Sequence, residues 1–114
     1  MAKVKDLLSI ICPTLNEASR LPLLLADINN YLTDVDVHIV DGGSKDKTRL
    51  IALLSGAKLH ELNTANRGYQ LNFGASEANS KWLLFLHSDS RLSKNCSNKI
   101  ERIINTPSSE KYGW

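Results

Sequence analysis

Leu7-Leu8-Ser9-Ile10-Ile11-Cys12-Pro13-Thr14-Leu15-Asn16-Glu17 is the stretch on which the fold turns. Leu7 to Cys12 is a continuous, β-rich apolar run without polar alternation, as expected of a strand covered on both faces. Pro13 ends it, and Thr14 to Glu17 is a polar loop. Leu21, Leu24, Leu25 and Ile28 then recur at helical spacing, with Pro22 tolerated in the first turn. The unit is thus strand, polar loop, helix.

The same unit repeats. Val35 to Val40 predicts a second strand, closed by Asp41-Gly42-Gly43-Ser44, and Leu50, Ile51 and Leu54 mark a second helix that stops near Gly56. Lys58 to Leu62 is a weaker third strand, and Leu71, Ala75 and Ala78 mark a helix from about Tyr69. Trp82 to Leu86 is a fourth apolar strand. Leu92, Cys96, Ile100, Ile103 and Ile104 form the stripe of a last helix, with Ser93 as its N-cap. The tail from Asn105 to Trp114 has no periodicity. Alternating elements of this kind predict an α/β fold, a Rossmann-like three-layer α/β/α sandwich with a mainly parallel sheet over residues 1–104.

Composition narrows the function classes. The 114 residues carry 14 basic and 12 acidic side chains, a net charge of +2 that with no Lys/Arg run argues against nucleic acid as a partner. The N-terminal apolar run, despite Lys3 and Lys5 before it, is too short for a signal core or an integral membrane segment. Cys12 and Cys96 show neither metal-ligand nor disulfide spacing. Both read as small core residues, compatible with a reduced, cytoplasmic setting. His38 and His60 show no partners in sequence and read as structural. Trp82, Tyr69 and Phe73 read as packing groups. Lys94, Lys99 and Arg102 lie on the outer face of the last helix, where solvation is the default and a peripheral lipid contact lacks support.

In a parallel sheet the ligand lies beyond the carboxyl ends of the strands, where strand order reverses. Thr14, Asn16 and Glu17 follow strand one, Asp41 follows strand two, and His87, Ser88 and Asp89 follow strand four. Three acidic positions therefore converge on one edge of the sheet. A core has no use for them.

Four stretches in order carry a resemblance: Ser9 to Glu17, Val40 to Thr48, Asn66 to Ala75, and Leu84 to Leu92. Together they resemble the N-terminal, nucleotide-sugar-binding half of family 2 glycosyltransferases of GT-A type. In particular they match a bacterial subgroup with His-x-Asp where others have a DxD motif. The resemblance implies that Asp41 accepts a hydrogen bond from the nucleotide base, usually uracil, a role that suits an acceptor-only carboxylate. It implies that Pro13 and Thr14 line the base, that Asn16 and Glu17 belong to the same nucleotide-binding loop, and that Arg67 steadies the diphosphate. His87 would meet the ribose or the metal. Asp89 would hold a divalent cation, Mg²⁺ or Mn²⁺, that bridges the phosphates.

Each of these residues has a plainer reading. Asp41 suits a turn before Gly-Gly, Pro13 a strand terminator, Asn16 and Glu17 a helix entry, Arg67 a solvated loop, and His87 a capped strand end. The activity that the resemblance implies is inverting transfer from a nucleotide-diphosphate sugar, UDP-linked by the same resemblance, to an acceptor the sequence does not name. The general base lies in the family's second half, and neither Glu101 nor Glu110 matches it. The chain therefore reads as a fragment without its acceptor-binding half, and as a homodimer through the strand edge so exposed. Two other classes compete: a non-catalytic nucleotide- or protein-binding module, and a sugar-phosphate nucleotidyltransferase. The latter needs a Gly-rich loop after strand one, which Pro13 to Glu17 is not. A dehydrogenase is disfavoured because no G-x-G-x-x-G follows any strand.

Overall fold

The computed structural model describes residues 7–32 and 35–105. Four strands alternate with four helices: β1 (Leu8–Thr14), α1 (Leu21–Tyr31), β2 (Asp36–Asp41), α2 (Thr48–Leu54), β3 (Lys58–Glu61), α3 (Arg67–Glu77), β4 (Trp82–Phe85) and α4 (Lys94–Ile104). The tail beyond Asn105, with Glu110, Tyr112 and Trp114, and the basic Lys3 and Lys5 lie outside the described residues. Among the described residues no helix is long and apolar enough to cross a membrane.

The strands form one sheet in the order β3-β2-β1-β4, every neighbouring pair parallel. β1 is interior to the sheet and buried along its whole length, as its mainly apolar run leads one to expect, with the hydroxyl of buried Ser9 bonded to Asp36 and Ser80. Side chains alternate across the sheet. Ile10, Cys12 and Ile39 join Leu21, Leu24 and Ile28 of α1, and Leu92, Ile100 and Ile104 around α4, in one apolar cluster. Ile11 and Val40, on the opposite face, receive α3. Helices thus cover both faces. Strand order reverses at α3, which returns the chain from β3 to the far side of β1.

The approach of α3 depends on Gly74. A Cβ there would lie 2.5 Å from Ile11 Cγ2 and 2.9 Å from Val40 Cγ2, both on stiff β-branched side chains. Gly74→Ala is expected to lower stability by about 1–3 kcal/mol through overpacking, outweighing the ~1 kcal/mol gain in helix propensity. Thermal unfolding followed by circular dichroism checks this; a melting temperature unchanged or raised would mean that α3 lifts off the sheet at no cost.

Several local expectations need correction. Cys96 is exposed, because the buried stripe of α4 runs through Ser97, Ile100 and Ile104, one position off. Leu50 and Leu54 mark α2 but face outward with Leu53; Thr48 and Ala52 are its buried residues, small enough for close approach to the sheet. α3 begins at Arg67 rather than Tyr69, because the Asn66 side chain caps it by accepting from Tyr69 N–H at 2.9 Å. Ser93 caps α4 as expected, accepting from Cys96 N–H at 3.1 Å. Trp82 is buried, but Tyr69 is exposed.

The two histidines do have partners. His38 Nε2 lies 2.7 Å from Asp36 Oδ2 and its Nδ1 lies 2.9 Å from His60 Nε2, with the two rings stacked. Phe73 of α3 meets His60 edge-on. Burial pulls the Asp36 carboxyl upward, but hydrogen bonds from His38, Lys58 and Ser9 outweigh it and hold the group below the ordinary carboxylate range. Burial, and then the His38 charge, push His60 down.

Candidate nucleotide-sugar site

The β1 and β2 loops are strapped together by side chains that answer each other's backbone. Asn16 N–H donates to Ser44 Oγ at 2.8 Å, and Lys45 N–H donates back to Asn16 Oδ1 at 2.8 Å. Glu17 N–H donates to Thr48 Oγ1 at 2.8 Å and Ala18 N–H to Asp46 Oδ2 at 3.2 Å. This brings Asn16 to a φ of 54°, a left-handed conformation that asparagine tolerates better than most residues. Asn16 therefore builds the loop and does not line the cleft.

Asp41 sits at the end of β2, fully buried. Its Oδ2 accepts from Gly43 N–H at 3.0 Å and Ser44 N–H at 2.7 Å. Its Oδ1 accepts from Thr14 Oγ1 at 2.8 Å and from the Ser44 hydroxyl. Gly43 permits the turn with a φ of 105°. With both oxygens engaged, Asp41 meets a base N–H in this arrangement only if one of these bonds is exchanged. On the other face of β1, the buried Gln70 side chain of α3 donates to Thr14 O at 3.1 Å and Val40 O at 2.8 Å. Gln70 so fixes the carboxyl ends of β1 and β2 to α3.

The fourth strand delivers the remaining residues. After β4, Leu86 N–H still pairs with Ile11 O at 3.0 Å, and Ser90 N–H closes a turn onto His87 O at 2.9 Å. That turn carries His87, Ser88 and Asp89. It is anchored from α1 by Asp27, whose carboxylate accepts from Arg91 Nε at 2.7 Å, Arg91 Nη2 at 3.2 Å and Leu92 N–H at 2.9 Å.

Between these loops lies a cleft of about 490 Å³, walled by Pro13, Thr14 and Glu17 from the β1 side and His87, Ser88 and Asp89 from the β4 side. Ala65, Arg67 and Gln70 close it from the start of α3. Its position is the reversal between β1 and β4, and its size is that of a small-molecule site. Of the residues expected from sequence, Pro13, Thr14, Glu17, Arg67, His87 and Asp89 meet here, while Asn16 and Asp41 stand behind the wall. Sequence reasoning missed Arg20 and Gln70. Arg20 Nη1 lies 3.8 Å from Glu17 Oε2 and 3.9 Å from Asp89 Oδ2, across the mouth of the cleft. Cys12, buried in the apolar cluster on β1, does not line the cleft: burial, then the charges of Glu17 and Asp89, push its thiol up to about 12.

Comparison with known proteins agrees with this geometry. The model of the family described as "Glycosyl transferase family 2" matches residues 9–109. The chain is 32% identical over 112 residues to a 4,4'-diaponeurosporenoate glycosyltransferase of Staphylococcus haemolyticus, covering 92% of this chain and 29% of that protein. It is 38% identical over 91 residues to a PGL/p-HBAD biosynthesis glycosyltransferase of Mycobacterium bovis, covering 74% of this chain and 36% of that protein. It thus spans about a third of these relatives' length. Among solved structures it is similar to S. aureus TarS 1-349 in complex with UDP-GlcNAc, with a TM-score of 0.77 at 25% identity over 87% of this chain and 31% of that one. A Mycobacterium tuberculosis glucosyl-3-phosphoglycerate synthase, solved with Mn²⁺, UDP and glucosyl-3-phosphoglycerate, shares the fold, with a TM-score of 0.61 at 21% identity over 75% of this chain and 36% of that one. The chain belongs to glycosyl transferase family 2.

Proposed function

We propose that this chain binds a UDP-linked sugar in the cleft between the β1 and β4 loops, as the donor half of an inverting glycosyltransferase. The observation that carries the reading is the meeting of Arg67, His87 and Asp89 with Pro13 and Thr14 at the strand-order reversal. Pro13 and Thr14 offer an apolar ring and a strand-end backbone against which a base lies. Asp41 shapes this wall through Thr14 and the Gly42-Gly43 turn. Arg67 presents a fork of donors to a diphosphate.

A divalent cation fits this cleft only as a shared site. Asp89 is an exposed oxygen ligand beside Ser88 and His87, but among the described residues no group of three His, Cys, Asp or Glu side chains gathers. Asp89 would hold the cation together with phosphate oxygens, a hard-ligand set suited to Mg²⁺ or Mn²⁺. Bound there, the ion would supply charge neutralisation for a departing diphosphate. The chain's own part is to seat the base, orient the diphosphate with Arg67 and hold Asp89 in place.

Calorimetry of the chain with UDP, GDP and ADP tests this. UDP is expected to bind in preference to the other two, more tightly with Mn²⁺ than with chelator, and Asp89→Asn is expected to remove the metal dependence. Absence of heat with every nucleotide would sink the proposal.

A further inference from the structure

Arg20 lies outside every motif that identifies the family, immediately before α1, and its side chain caps no backbone group there. It spans the cleft mouth instead, within ion-pair distance of both Glu17 and Asp89 yet beyond hydrogen-bond distance of either. Among the described residues its guanidinium is thus held by charge rather than by hydrogen bonds. It is more than half exposed, so little packing resists its rotation. Both carboxylates that line the cleft, Glu17 and Asp89, lie near it, at 3.8 and 3.9 Å.

We infer that Arg20 is the built-in counter-cation of the cleft, neutralising Asp89 when no ligand is present and turning to the diphosphate when the nucleotide binds. This rests on the nucleotide-diphosphate reading above and adds a residue and a competition to it. A metal ion approaching the empty cleft meets the positive charge of Arg20 at the carboxylate it needs. A diphosphate attracts Arg20 away from Asp89 and so opens that carboxylate to the ion. Nucleotide and metal therefore assist one another through Arg20, and part of the diphosphate affinity survives without metal.

The test is calorimetric titration of the full chain and its Arg20→Ala and Arg20→Lys variants with UDP and with uridine, each in chelator and in Mn²⁺. In chelator, Arg20→Ala is expected to lose about tenfold or more in UDP affinity, the loss of one charged hydrogen-bonding group. In Mn²⁺ the loss is expected to be larger still, because the coupling that runs through Arg20 is gone, so the variant's metal dependence falls. Uridine, which lacks phosphate, is expected to bind all three proteins alike, and Arg20→Lys to fall between wild type and alanine. Equal UDP affinity for Arg20→Ala and wild type in chelator overturns the inference. So does an equal loss for uridine, which would place Arg20 at the nucleoside. If wild type binds UDP only with Mn²⁺, the proposed function stands and Arg20 is not the counter-cation. If wild type binds UDP under neither condition, both fall.

Discussion

Asp41→Ala is expected to destabilise the domain by about 3–5 kcal/mol, because it strips a buried turn of the acceptor for four donors. The Gly43 and Ser44 amides and the Thr14 and Ser44 hydroxyls all point at this carboxylate, which no solvent reaches. Removing one partner and leaving the others buried costs more than a bond between exposed groups returns. A domain of this size has a total stability of about 5–15 kcal/mol, so the variant loses a large share of it. Asp41→Asn keeps the shape but turns an amide NH₂ towards donors, and is expected to fall between alanine and wild type. Denaturant unfolding measures both. An Asp41→Ala midpoint close to wild type would show that the turn is held by Gly42 N–H to Thr14 O and the loop straps alone. If Asp41 instead acts mainly by direct contact with a base, the variants lose UDP affinity at full stability.

That contrast marks what the sequence carries and what it hides. The order of strands and helices is legible because β1 is apolar at successive positions, which only a doubly covered strand sustains, and because each polar run sits at a strand end. The position of the cleft follows from the same pattern, since parallel strands bring their carboxyl-end loops together. Contacts between loops are not legible. Nothing in Asn16 or Ser44 by itself announces that the Asn16 amide donates to the Ser44 hydroxyl across 28 residues, or that Asp41 meets Thr14 from the next strand. Gln70 looks like a solvated helix residue until α3 is seated on the sheet. Arg20 looks like a helix-entry residue until the β4 loop arrives. Apolar spacing also misjudges α2, where the small Thr48 and Ala52 face the sheet and the leucines face outward. Periodicity finds a helix. It does not always find the side of it that packs.

Asp27→Ala is expected to lower stability by about 2–3 kcal/mol, and the loss should appear at neutral pH but shrink in acid. Asp27 is buried on α1, while its partner Arg91 is well exposed, so the ion pair is worth less than one wholly out of water. The larger share belongs to fixed geometry: two guanidinium nitrogens and the Leu92 amide meet one carboxylate. The Arg91 side-chain hydrogen bond, and then the Leu92 amide, hold the Asp27 carboxyl below its ordinary value of 3.8, against the opposing pull of burial. A depressed folded-state pKa stabilises above the unfolded value, and that contribution disappears as pH falls through the folded one. Wild type and Asp27→Ala should therefore differ most above about pH 4 and converge below it. Because Arg91 follows Asp89 on the turn after β4, the variant should also loosen the loop that carries His87 and Asp89. UDP affinity in Mn²⁺ is then expected to fall further than UDP affinity in chelator. Denaturant unfolding at several pH values checks the first part. A stability difference between the two proteins that is constant from pH 7 down to pH 3 would remove Asp27 ionisation as its source.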